Sequence, residues 1–262
     1  MTDVAVSGLP IGYNPLSPNP DRVIDDALPN ASSKATSLHV LATNLPPLNA
    51  SNSLDNTSLC FLAPHVKNLA TSAKGFPRRL NNPDTPSYRI GESPGKGLGL
   101  FATRKIEAGE MICDERPLLV TPRDLGRVVT VPRAVQTGVS EATKHQVYRI
   151  EFEKVLHRFV SDPTRMSESN RNALLELCNI HSSNGDGSGP ILGVIRTNCF
   201  KMSEPIRDQG ALGYPFLVLH SSDWCPGTSD ASNDQLGIYT GVWKTLSRMN
   251  HRCILSLIFN TQ

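Results

Sequence analysis

The chain has 262 residues, with 26 Lys and Arg against 24 Asp and Glu, a net charge of +2. That balance gives no reason to expect nucleic acid or an anionic membrane as the main partner, and the length suits one sizeable domain with a tail. The six cysteines, Cys60, Cys113, Cys178, Cys199, Cys225 and Cys253, are scattered and form no CxxC pair, which argues against a zinc site built from local cysteine pairs and against a disulfide framework.

The first 85 residues are rich in Asn, Ser, Pro, Leu and Ala. Stretches such as "NPLSPNPD", "NLPPLNASNSLDNTS" and "NNPDTP" carry turn and breaker chemistry, and the apolar residues between them keep no sustained period. The expectation is a disordered leader over 1–85, with short patches such as "LHVLA" packing weakly or binding a partner. The opening "MTDVAVSGLP" has no basic stretch leading into an apolar core, and no run of about eighteen apolar residues follows anywhere. No membrane span is expected, and the location expected is intracellular, in cytoplasm or nucleus.

From Tyr88 the pattern changes to short strands and glycine turns. "YRIGES" reads as a strand entering a turn at Gly91, and Pro94–Gly97 as a loop. Leu98–Thr103 alternates, with Leu98, Leu100 and Ala102 on one face, and Met111–Glu115 reads as another short strand. Ser140–Val160 reads as a helix capped by Ser140, with Val147, Ile150, Val155, Leu156 and Phe159 at helical spacing and Asp162-Pro163 beyond its end. Ser167 or Ser169 caps a second helix with Leu174, Leu175, Leu177 and Cys178 on its buried side. "SSNGDGSG" is a loop, "PILGVIRTNCF" is apolar again, and residues 203–236 are loop-rich around "CPGTSDASND".

The alternating glycines of "GKGLGLFA", Gly95 to Ala102, invite a phosphate-binding reading, which their context rejects. A Walker loop needs Ser or Thr after the lysine, whereas Gly97 follows Lys96. A dinucleotide fingerprint needs a helix after the glycines, whereas a strand follows here. An ordinary β-turn without a ligand is the remaining local alternative.

The longer segment "GKGLGLFATRKIEAGEMICDERPLL" resembles the opening of SET domains, the protein-lysine methyltransferase family, through Gly95, Gly97, Gly99, Leu100, Phe101, Ala102, Ile106, Gly109, Glu110, Glu115 and Pro117. Far downstream, "SRMNHRC", Ser247 to Cys253, resembles the family's SRxNHSC segment. Between them, "LELCNIH" and "GVIRTNCF" look like the insert of fungal SET proteins and the related SMYD-like group. The resemblance implies an α+β fold: a SET-type β-clip of short strands with a helical insert, incomplete at the C-terminus, after the disordered N-terminal leader. It divides the chain into a leader (1–85), a SET domain (86–256) and a non-family tail (257–262). Within the SET domain lie an N-terminal β part (86–122), a helical insert (123–195) and the start of the C-terminal core (196–256).

The resemblance also implies the cofactor, S-adenosylmethionine, and a protein partner that offers a lysine side chain. The glycine loop, Gly95, Lys96, Gly97, Leu98 and Gly99, would lie against the cofactor, with the backbone of Lys96 and Leu98 in contact. Asn250 and His251 would form the second half of the site, and Asn198 matches an asparagine that contacts the cofactor in SMYD-like relatives. Taken without the family, an Asn-His pair is ordinarily a cap or a satisfied core pair, and "RTN" an ordinary helix or loop cap. Methyl transfer to an amine asks for collinear positioning, an apolar channel that admits the neutral lysine, and carbonyl and tyrosine oxygens around the moving methyl. The sequence departs from the family after Cys253: Arg252 replaces the family serine, no GEE turn follows, and no tyrosine follows Tyr239. The expectation is therefore a C-terminally truncated chain with no catalytic tyrosine and weak or absent activity. A non-enzymatic SET-like protein-binding module is the alternative.

Overall fold

The computed structural model describes residues 13–14, 22–34, 36, 38–49, 53–95, 97–137, 139–182, 185–202 and 239–249. Its strands are β1 (Val23–Asp25), β2 (Val40–Leu45), β3 (Ser58–Leu62), β4 (Tyr88–Ser93), β5 (Gly97–Ala102), β6 (Leu119–Pro122), β7 (Phe200–Met202) and β8 (Tyr239–Val242). Its helices are α1 (Ala31–Lys34), α2 (Pro64–Ser72), α3 (Arg133–Thr137), α4 (Glu141–Val160), α5 (Glu168–Leu175) and α6 (Pro190–Asn198). The class is mixed α+β, as expected.

Six strands form one sheet in the order β1-β2-β3-β6-β8-β7, and β4 pairs with β5 in a separate antiparallel hairpin. Neighbours β1 and β2 run parallel, as do β3 and β6, while β2–β3, β6–β8 and β7–β8 are antiparallel. The strand period of two divides side chains between the sheet's faces. Leu59, Phe61, Leu119 and Val242 join the main core with Phe152, Leu156, Phe159, Leu174, Leu192 and Ile195 from the helices. Cys60, Leu62, Val120 and Tyr239 point the other way and meet Ala63 and Val66 at the start of α2. Phe61 anchors the main core, edge-on to Phe152 at 6.4 Å and to Phe159 at 5.4 Å.

Over residues 40–62 this topology corrects the leader expectation, while residues 1–12 and 15–21 of it lie outside the described residues. Strands β2 and β3, both inside residues 1–85, lie next to one another in the six-stranded sheet, and β3 pairs directly with β6. "SLCFL" is buried at every position, because a strand covered on both faces shows a continuous apolar run in place of alternation. The turn-rich flanks hide such a strand from a periodicity argument. Burial of Phe61, Ala42 and Leu59 in the common core supplies the energy that a disordered segment lacks.

The helices follow the sequence closely. Ser140 Oγ accepts from the Thr143 amide at 3.2 Å and starts α4; Ser167 Oγ accepts from the Asn170 amide at 3.1 Å and starts α5. Of the side chains expected to be buried on α5, Leu174 and Leu177 are, whereas Leu175 and Cys178 are exposed. Helix α6 turns "PILGVIRTN" into a buried amphipathic element with Pro190 in its first turn, and it spans the boundary expected at 195/196.

The glycine region differs in two details. Strand β4 runs through Gly91 up to Ser93, so the chain reverses after it and not at Gly91. Met111–Glu115 forms no strand; side-chain hydrogen bonds to Asp114 and Glu115 hold it in place of a ladder. On β5 the expected apolar face is largely open: Leu98 is 43% exposed, and the buried residue is Gly99.

Candidate functional site

Register pairs Ser93 with Gly97 and Gly91 with Gly99 across the β4–β5 hairpin. At the turn, Gly95 has φ +71° and Gly97 φ +72°, backbone that L side chains avoid. A Cβ at either position would meet no heavy atom within 4 Å. Conformation, not crowding, demands glycine there, and it leaves the main chain open to an approaching group. Leu98 and Gly99 continue from this turn into β5. Lys96 lies outside the described residues.

The other side of the site is a one-turn 3-10 helix, Leu246–Arg248, against which β5 packs. Its first amides are capped from outside: the Glu115 carboxylate accepts from the Thr245 amide at 2.8 and 3.1 Å and from the Leu246 amide at 2.6 Å. The Ser247 hydroxyl accepts from the Trp243 amide and donates to the Asn198 carbonyl, both at 2.9 Å. The Tyr88 hydroxyl lies near the Thr245 side chain. Arg248 is buried and pairs with Glu176 at 3.6 Å.

Asn198, the last residue of α6, donates its side-chain amide to the Cys178 and Val194 carbonyls, each at 2.7 Å. It thus closes its own helix, while its backbone oxygen receives Ser247. The structure brings together strand β5, the Leu246–Arg248 turn and Asn198 at the end of α6, although about 150 residues separate the hairpin from the turn. Met249 leads directly into Asn250 and His251, which lie outside the described residues, as do the 203–236 loop and the 257–262 tail.

Electrostatics give the surroundings little reactivity of their own. Burial, with Glu115 and Asp114 close by, pushes the Cys113 thiol up to about 11, and burial raises Cys199 to about 11 and Cys60 to about 12. A thiol held that high is no thiolate nucleophile at neutral pH. Burial also raises the Tyr88 hydroxyl, against the lowering effect of Thr245. Among the described residues no group of three or more His, Cys, Asp or Glu side chains is placed to hold a metal, and no helix is long and apolar enough to cross a membrane. What the arrangement offers is open main chain at a glycine turn, on a hairpin whose second strand packs against a firmly held turn. That suits a ligand whose own bond is already reactive and which needs placement more than activation.

Glu115, Ser247 and Tyr88 carry the geometry that the sequence reading did not assign. Glu115 and Ser247 sit inside the two quoted motifs, so the signal for them was present. Tyr88 carried none beyond its place in a strand.

No model of a known protein family matches the chain, and no solved structure matches it. Forty residues are 52% identical to the SET domain-containing protein SmydA-8, isoform B, of Drosophila melanogaster, a stretch that covers 15% of this chain and 9% of the fly protein. That short match relates the chain to SET-domain proteins.

Proposed function

We propose that this chain carries the cofactor site of a SET-type, S-adenosylmethionine-dependent protein-lysine N-methyltransferase. The observation that supports the reading best is the contact of the glycine hairpin with the 245–249 turn, two segments remote in sequence that both resemble SET motifs. Bound S-adenosylmethionine would supply a methyl group already activated on a sulfonium. The chain's part is placement. The backbone of Gly95, Lys96, Gly97, Leu98 and Gly99 would hold one side of the ligand, and Asn250, His251 and Asn198 the other. The SMYD-like and fungal character of the insert belongs to the same reading, as does a protein lysine as acceptor.

Tyr239 is committed to a structural bond. Its hydroxyl accepts from the Ala63 amide at 3.1 Å in the cluster beside α2, on the sheet face away from the main helical core. This favours, as the second reading, a binding module that keeps a cofactor or partner without methyl transfer.

Isothermal titration of the purified chain with S-adenosylmethionine tests the proposal. Saturable binding, weakened at least tenfold in Asn250→Ala, is the expected result; a folded chain that takes up no cofactor would remove it. A methyl-transfer assay on protein substrates then separates the readings, since the module alternative predicts binding without turnover.

A further inference from the structure

We propose that Glu115 is a positioning residue for this site: its carboxylate sets the backbone of the 245–249 turn and, through it, the strength of cofactor binding. The inference rests on the reading above. One carboxylate receives two consecutive amides, from Thr245 and Leu246, at 2.6 to 3.1 Å. Bonds of this kind to an ionised acceptor are the stronger class, and a negative charge suits the amide end of a helical turn. Arg248, a cation at the other end of the same turn, complements it.

Glu115 itself is held from both sides, although its segment has no regular secondary structure. Next to it, Asp114 takes both guanidinium nitrogens of Arg78 and the Asn81 amide, and Asn82 brackets its backbone by donating to its carbonyl and accepting from its amide, at 2.8 and 2.7 Å. On the other side, Arg116 donates to the Arg78 carbonyl at 2.6 Å, and the Leu118 amide joins the sheet at Val242 at 2.7 Å. The carboxylate is therefore presented to the turn by a preset frame. The same turn packs against β5 of the glycine hairpin, so the way it is held sets the backing of that hairpin.

The test uses the whole chain, with hydrogen exchange over residues 243–249 and isothermal titration with S-adenosylmethionine. Glu115→Ala is expected to speed exchange at the turn and to weaken binding, each by about tenfold or more. Glu115→Gln, which keeps one accepting oxygen, is expected to fall between Glu115→Ala and the unaltered chain. Two controls separate positioning from charge and from stability. Glu107→Gln removes an exposed acid and should bind as the unaltered chain does. Leu156→Ala lowers the melting temperature through the core and should also retain affinity.

Unchanged exchange at the turn or unchanged affinity in Glu115→Ala would overturn the proposal, as would an equal loss of affinity in Leu156→Ala. An unaltered chain that is folded yet binds no cofactor would overturn the cofactor role together with the proposed function. Loss of binding confined to the Glu115 variants speaks to Glu115 alone.

Discussion

Gly97 shows how a residue's identity can be set by backbone alone. Its φ of +72° is costly for any L side chain, yet the space around it is open. Gly97→Ala is expected to destabilise the chain by about 1 kcal/mol, through conformation only, measured by urea unfolding. An alanine variant as stable as the original would mean that the hairpin adopts another turn. Gly99 differs: it is buried on β5, paired with Gly91 of β4, and its φ is not positive. Alternating glycines in one motif thus serve two purposes, a left-handed turn and a bare strand pair. A reading of the letters alone assigns them a single one.

At the scale of elements, helix starts were legible because capping is local chemistry. Ser140 and Ser167 each bond an amide three residues on, so a serine ahead of an apolar period is enough to place α4 and α5. Helix α6 is capped differently. The Glu153 carboxylate, on α4, accepts from the Ile191 and Leu192 amides at 3.0 and 2.7 Å. Burial raises that carboxyl despite these bonds. Glu153 and Glu115 are the same device, an acid from one element capping another, and no sequence window contains both partners.

The loop between α5 and α6 is tied by charge. Asp186 pairs with Arg196 and with Arg149 on α4, beside His181 at 3.6 Å. Burial pushes the Asp186 carboxyl up, but hydrogen bonds from Arg196 and Ser188 outweigh it and hold it at about 2. Burial and the two arginines lower His181. Both shifts have the same sign for stability. The unfolded chain binds the His181 proton first as pH falls below 6.5, and the Asp186 proton first between 3.8 and about 2, so acidification weakens the fold in each window. Thermal melts from pH 7 to 2.5 are expected to show this decline, and Asp186→Asn to lose its lower step while melting earlier at pH 7. A variant with the original acid profile would count against the network.

On the scale of the whole molecule, the deciding fact is that β2 and β3 belong to the main sheet. A chain lacking residues 1–85 would lose Val40, Ala42, Leu59 and Phe61 from the core and leave the β6 edge without a partner. Such a fragment is expected to lack a cooperative thermal transition by circular dichroism. A sharply melting fragment would restore the expected boundary at 85/86.

The sequence by itself determined the helices α4 and α5 with their caps and the short strands on either side of the glycine turn. Each of these rests on neighbours within a few residues, or on a pattern that repeats along one element. Only the tertiary structure decided that the leader contributes strands to the core, that Tyr239 is engaged with Ala63, and that Glu115 and Asn198 converge on the 245–249 turn. These depend on pairings between residues about 50 to 180 positions apart. Such pairings are made by sheet register, buried area and the satisfaction of individual amides, and none of these leaves a local period in the chain.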